Sequence, residues 1–313
     1  MAAWKILLTD GLEESGQSIL RASAEVHDRS GISADELLQE IGDYDALIVR
    51  GRTKVTPAVF NAAKRIKVVG RAGVGVDNID LNAAHNHSVT VVNSPIATTV
   101  AVAELTFGLM LSLVREIPRA DAALKAGKWI KKELEGTELS GKTLGVIGFG
   151  RIGAGVGQRA AAFGMRVIGY DPLIGPADIS QRGGEPVSLD VLFSQANVIT
   201  MHIPLTQDSH NMLNAEAFGK MKHGVLLVCA ARGGVIDEEA LLAALNSGQV
   251  AGAGLDVFAT EPPGLNALVS HPRVIVTPHI GAQTVESQGR AAVDISGEVL
   301  NALRGDPLRW KVT

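Results

Sequence analysis

Three ionisable residues, Arg232, Glu261 and His279, each stand a few positions beyond a short apolar run that reads as a strand: residues 225–229, 253–257 and 274–277. In an open parallel sheet the ligand crevice lies outside the carboxyl ends of the strands, so side chains far apart in sequence reach one site there. The set suits interconversion of a hydroxyl and a carbonyl by hydride transfer. A histidine takes the hydroxyl proton in one direction and returns it in the other. A carboxylate beside such a histidine raises its pKa and fixes its orientation. An arginine clamps a substrate carboxylate bidentately and polarises the carbonyl. A packed histidine, a rigid Glu-Pro-Pro turn and an Arg-Gly-Gly surface turn are the plainer readings of each residue alone. Their shared position beyond late strands favours catalysis.

Such a reaction needs a hydride acceptor. Gly148-Phe-Gly150-Arg-Ile-Gly153 is a complete G-x-G-x-x-G that follows an apolar strand and opens a helix, the context a dinucleotide fingerprint requires. The first glycine permits the tight turn, the second lets backbone approach a pyrophosphate, and the third lets helix and strand pack closely. Asp171 ends the next strand, where a carboxylate holds ribose hydroxyls and repels a 2′-phosphate, so NAD is expected rather than NADP. Gly73-Val-Gly75 also follows a strand but lacks the third glycine. It reads equally well as an anion-contacting loop or as a structural turn.

The elements that must position these groups fall into two βα series. Strands are expected at residues 5–9, 46–50, 67–70 and 90–93, then at 143–148, 166–170, 197–201, 225–229, 253–257 and 274–277, with helices between them. Short apolar strands alternating with helices imply buried parallel sheets. A helix is expected over residues 99–117, ended by Pro118, and another over 284–304 that returns to the first series. The fold class is therefore α/β: two doubly wound domains, a Rossmann dinucleotide-binding domain (98–284) inserted in a discontinuous, flavodoxin-like substrate-binding domain (1–97 and 285–313).

Composition sets the outer limits. The chain has 313 residues, 46% hydrophobic and 20% charged, which suits two soluble globular domains. A formal net charge of -4 argues against a nucleic-acid partner. Cys229 is the single cysteine, so no intrachain disulfide or cysteine-based zinc site is possible, and no metal is expected. Residues 1–8 read as a strand rather than a signal peptide, and no apolar stretch approaches the ~20 residues needed to cross a bilayer. A cytoplasmic enzyme is expected.

Taken together, these residues resemble the D-isomer-specific 2-hydroxyacid dehydrogenase family over essentially the whole chain. The matching segments are residues 49–55, 70–78, 127–129, 136–142, 148–153, 231–238, 255–258, 261–263 and 278–282. The resemblance is strongest to the branch acting on D-3-phosphoglycerate, which implies its NAD-dependent oxidation to 3-phosphohydroxypyruvate in serine biosynthesis. It implies that Arg232, Glu261 and His279 are catalytic, with His279 the acid/base. Cofactor contacts are implied for Val74, Gly148, Gly150, Arg151, Ile152, Gly153, Asp171, Ile203, Ala230, Ala231, Arg232, Asp256, His279, Gly281 and Ala282. Substrate contacts are implied for Arg50, Arg71, Gly73, Gly75, Asn78, Arg232 and His279. A homodimer or homotetramer through the NAD-binding domain is implied too, with no C-terminal regulatory domain. Residues 95–104 keep the family's proline and Ala-Glu but lack the Gly/Ser-Asn pair between them, and Val74 stands where threonine is common. Two further readings stay open: another D-2-hydroxyacid dehydrogenase acting on glyoxylate, hydroxypyruvate or lactate, and an NAD-sensing, corepressor-like binding protein.

Overall fold

The structure, a computed structural model, describes residues 4–313; residues 1–3 of the expected first strand lie outside them. The chain divides into two compact units, one holding the chain up to Thr98 together with Ala282–Thr313, the other Thr99–Gly281.

The first unit runs β1 (Trp4–Leu8), α1 (Glu14–Arg21), β2 (Ala24–Asp28), α2 (Ala34–Glu40), β3 (Ala46–Val49), α3 (Pro57–Ala62), β4 (Val68–Arg71), α4 (Leu81–Asn86) and β5 (Thr90–Asn93). Its five parallel strands lie in the order β2-β1-β3-β4-β5. β3 is buried along its whole length, as a parallel strand covered on both faces must be. Leu37, Val59, Phe60 and Ala84 from α2, α3 and α4 cover one face. Leu20 of α1 covers the other, with Ile295, Val299 and Leu303 from the last helix of the chain. The order reverses between β1 and β3, so the loops after these two strands flank the unit's topological switch point.

The second unit runs α5 (Thr99–Val114), α6 (Ile117–Lys125), β6 (Thr143–Ile147), α7 (Arg151–Ala162), β7 (Arg166–Tyr170), α8 (Pro176–Gln181), β8 (Glu185–Pro186), α9 (Leu189–Gln195), β9 (Val198–Met201), α10 (Ala215–Lys220), β10 (Val225–Cys229), α11 (Glu238–Ser247), β11 (Val250–Leu255) and β12 (Val274–Val276). The seven strands are parallel in the order β12-β11-β10-β9-β6-β7-β8. Phe107, Met110, Val156 and Ala160 cover one face, and Leu192, Phe218, Leu241 and Leu245 the other. The switch point here lies between β6 and β9. The chain then returns to the first unit as α12 (Val285–Arg304), capped by the Thr284 side chain at Ser287 N–H and ended by Gly305 with φ +79°.

The sequence reading needs correction at three places. Pro118 does not end the long helix. The break falls before it, at Glu116 with φ +49°, and Pro118 occupies the first turn of α6, where a missing N–H and a fixed φ cost nothing. β2 has no counterpart among the strands read from sequence: its Ala-Glu-Val-His-Asp run is half exposed at the sheet edge and lacks the apolar continuity of an inner strand. β8 pairs with β7 through two residues only, too few for any periodicity to register.

Candidate active site

The nucleotide loop is held from several sides. Phe149 is fully buried and drives its ring into the core under α7, a burial worth about 1.5–3 kcal/mol. Its N–H donates to Asp171 Oδ2 at 2.7 Å and its carbonyl accepts from Arg182 Nη1 at 2.9 Å. A side chain at Gly153 would stand 2.0 Å from the Gly148 carbonyl oxygen, so helix and turn meet at a distance only glycine allows. A Cβ at Gly150, by contrast, would meet no protein atom within 4 Å. The loop therefore presents an open backbone at the start of α7, whose first-turn N–H groups and dipole favour an anion. These features fit a dinucleotide: Gly148, Gly150, Arg151, Ile152 and Gly153 would hold its pyrophosphate, and Asp171, just past β7, its ribose.

The sequence reading missed His202, just past β9, whose backbone carbonyl lies within 2.7 Å of where a Gly148 Cβ would stand. Its Nε2 lies 3.0 Å from Thr200 Oγ1, and its Nδ1 is buried with no partner. Burial pushes its pKa down to about 3, so the ring is neutral in the folded chain. The unfolded chain takes up the proton near pH 6.5 and the folded one only near 3. Stability is thus fully present above about 6.5 and falls on acidification by up to about 1.4 kcal/mol per unit. His202→Asn is expected to flatten the decline of melting temperature between pH 7 and pH 5. An unchanged slope would mean that other groups control it.

His279 follows β12 in a left-handed conformation, φ +51°. Asp256 builds the turn. Its backbone carbonyl accepts from His279 N–H at 2.8 Å, and its fully buried carboxylate accepts from Thr277 Oγ1, Ile280 N–H and Gly281 N–H. The resemblance places Asp256 among cofactor contacts; in the structure its carboxylate shapes the 277–281 turn.

His279 Nδ1 lies 2.8 Å from Glu261 Oε2, and Glu261 Oε1 accepts from Phe258 N–H at 3.1 Å. Partial burial acts to raise the Glu261 pKa. The hydrogen bonds from His279 and Phe258, with the charges of His279 and Arg232, outweigh it and hold the carboxyl below its usual range. An ionised carboxylate only accepts, so Nδ1 carries the proton and Nε2 is left as the ring's acceptor nitrogen. The loop bearing Arg232 abuts the loop before Glu261: a Cβ at Gly233 would stand 1.8 Å from the Phe258 carbonyl oxygen. Close approach of these two backbones brings Arg232 near enough to Glu261 for its charge to be felt. Arg232 Nη1 donates to the Ala231 carbonyl at 2.7 Å. Ala230 and Ile203 are buried at the ends of neighbouring strands. Burial pushes the Cys229 thiol up to about 11, which excludes it as a nucleophile at neutral pH.

In the first unit Arg50 is the first residue after β3 and Arg71 the last of β4. Arg71 Nη1 donates to the Ala72 carbonyl. The Gly73–Gly75 loop is tied to β5: Gly73 N–H donates to Ser94 Oγ at 2.7 Å, and Asn93 Nδ2 donates to the Val74 carbonyl at 2.7 Å. Asn78 Nδ2 donates to the carbonyls of Arg50 and Thr53 at 3.0 and 2.7 Å. Ala282 opens the return to this unit.

Residues 107–281 match the family described as D-isomer specific 2-hydroxyacid dehydrogenase, NAD binding domain. The chain belongs to that family. It is 46% identical over 305 residues to D-3-phosphoglycerate dehydrogenase of Rattus norvegicus, covering 97% of this chain and 57% of that one. To the D-3-phosphoglycerate dehydrogenase of Methanocaldococcus jannaschii it is 48% identical over 304 residues, covering 96% and 58%. The chain thus spans a little over half the length of these curated relatives. A glyoxylate reductase from Paecilomyes thermophila superposes with a TM-score of 0.92 at 30% identity, covering 100% of this chain and 99% of that one. As a family member the chain carries its NAD-binding domain on the seven-stranded sheet, where the glycine loop and the His279–Glu261 pair both lie. Among the described residues no helix is long and apolar enough to cross a membrane.

Asp171 supplies a test of cofactor choice. Besides Phe149 N–H it accepts from Leu173 and Ile174 N–H, so its charge is fixed in place at the end of β7. The unaltered chain is expected to prefer NAD over NADP strongly. Asp171→Ala should narrow that preference, read as the ratio of kcat/KM for the two cofactors. Equal use of both by the unaltered chain would contradict the assignment.

Proposed function

We propose that this protein oxidises D-3-phosphoglycerate to 3-phosphohydroxypyruvate, and that the residues assigned above carry the reaction. The observation that carries the proposal is the His279–Glu261 pair, at 2.8 Å, with Arg232 alongside, all at the carboxyl ends of successive strands of the nucleotide-binding sheet. Bound NAD supplies the hydride acceptor. His279 Nε2 removes the proton from the C2 hydroxyl, and Glu261 stabilises the imidazolium that results and keeps the ring oriented. Arg232 binds the substrate carboxylate and polarises the developing carbonyl. The remaining cofactor contacts follow the resemblance, as do the substrate contacts of Gly73 and Gly75, with Arg50 and Arg71 on the phosphate. The chain acts in the cytoplasm, as a homodimer or homotetramer through the NAD-binding domain. Exposed Ile117, Leu124 and Trp129 after α5 support that assembly.

The phosphorylated substrate is supported by the two curated relatives and by Arg50. Its guanidinium makes no ion pair or hydrogen bond among the described residues, so its donors stay available. Arg50→Ala is expected to raise KM for 3-phosphoglycerate about ten-fold or more, and for glycerate far less. Equal effects would place Arg50 on the carboxylate or in the fold. A second reading, reduction of glyoxylate or hydroxypyruvate, is favoured by residues 95–104, which lack the Gly/Ser-Asn pair, and by the glyoxylate reductase likeness.

A further inference from the structure

Asp10 belongs to none of the motifs, yet it holds the loop that presents Arg50. It follows β1, and Arg50 follows β3, so the two loops flank the switch point of the five-stranded sheet. The Asp10 side chain is only 4% exposed. Its Oδ2 accepts from Arg50 N–H at 2.8 Å and Thr53 N–H at 3.0 Å. Its Oδ1 accepts from Thr53 Oγ1 at 2.5 Å and faces Arg52 Nη2 at 3.2 Å. Arg52 is anchored in turn to the carbonyls of Thr9 and Ile32. From the other side Asn78 Nδ2 donates to the carbonyls of Arg50 and Thr53. The Arg50 peptide units are therefore gripped at the N–H by a carboxylate and at the carbonyl by an amide. The neighbouring arginine is tied to protein groups, and the Arg50 guanidinium is left to project without one.

We infer that Asp10 and Asn78 are positioning residues that preorganise Arg50 as a receptor for the substrate's phosphate. The inference rests on the proposed function for the identity of the anion. An unclamped arginine would have to order its loop on binding, and a clamped one does not, so the clamp acts on affinity for the charged group rather than on the chemical step. Asparagine cannot replace Asp10: it offers one acceptor oxygen where two are engaged, and turns N–H groups toward donors. Aspartate cannot replace Asn78, because it sets a carboxylate against two carbonyl oxygens and donates nothing.

The test is a double-mutant cycle with the full chain, following NADH consumption with 3-phosphohydroxypyruvate and with hydroxypyruvate. Asp10→Asn and Asn78→Asp are each expected to raise KM about ten-fold for the phosphorylated acid. For Asp10→Asn, kcat and the KM for hydroxypyruvate should stay within about two-fold. Adding either change to Arg50→Ala should cost little more than Arg50→Ala alone, because residues that act through one another do not add. Additive losses, or equal changes for both acids, would reduce the clamp to a folding role and overturn the inference. If the unaltered chain does not reduce the phosphorylated acid, the proposed function falls, and the clamp is decided by calorimetric titration with inorganic phosphate. Phosphate binding weakened alike by Arg50→Ala and Asp10→Asn supports the clamp, and binding indifferent to Asp10→Asn overturns it.

Discussion

His279→Ala is expected to lower kcat at least ~10²-fold while NADH affinity stays within a few-fold. Nε2, the proton acceptor in the proposed reaction, disappears with the side chain. The turn around it is held by backbone donors on Asp256, which alanine retains. One confounding effect is built into the backbone: at φ +51° an alanine is strained, whereas asparagine tolerates the left-handed region. His279→Asn should therefore keep the melting temperature closer to that of the unaltered chain and lose as much activity. NADH fluorescence titration and steady-state turnover separate the outcomes. Substantial activity in His279→Asn would remove the imidazole from proton transfer. Loss of NADH binding along with activity would mean that the substitution had collapsed the turn.

Arg232→Ala is expected to cost about 10²- to 10³-fold in kcat/KM, the range for removing a preorganised donor from developing charge. The loss should fall on the substrate and not on the His279–Glu261 pair. Removing the guanidinium lets the Glu261 pKa rise, because the Arg232 charge is one of the influences lowering it. The hydrogen bonds from His279 and Phe258 remain, so the carboxylate is still ionised at neutral pH and still fixes the proton on Nδ1. Arg232→Lys should restore only part of the activity, since an ammonium cannot grip a carboxylate bidentately. Near-complete rescue by lysine would show that charge alone is needed at this position.

Much of this arrangement is legible in sequence, for reasons that also define what is not. Strands such as β6, β9 and β10 are buried on both faces and read as continuous apolar runs, and the loops after them inherit a known position in a parallel sheet. That is why Arg232, Glu261 and His279 can be grouped though no local motif joins them. The glycine loop is legible because each glycine answers a local demand; the Gly153–Gly148 contact spans one turn of chain. Asp10 leaves no such signal. Its partners, Arg50 and Thr53, lie at sequence separations of 40 and 43, and only the adjacency of β1 and β3 brings them together. His202 is hidden for another reason: among the described residues its side chain has Thr200 as its one polar partner, and it belongs to no motif. Asn78 shows the converse: the resemblance places it beside the substrate, while the structure sets its amide on two backbone carbonyls behind Arg50.

Turnover by the purified chain with NAD, followed by NADH absorbance over 3-phosphoglycerate, glycerate and D-lactate, and in reverse over 3-phosphohydroxypyruvate, hydroxypyruvate and glyoxylate, decides whether the chain acts on a phosphorylated acid. In each direction kcat/KM for the phosphorylated acid is expected to exceed that for its unphosphorylated counterpart by at least about ten-fold, the worth of one charge-assisted contact at Arg50. Efficient reduction of glyoxylate or hydroxypyruvate with no turnover of the phosphorylated acids would contradict this expectation.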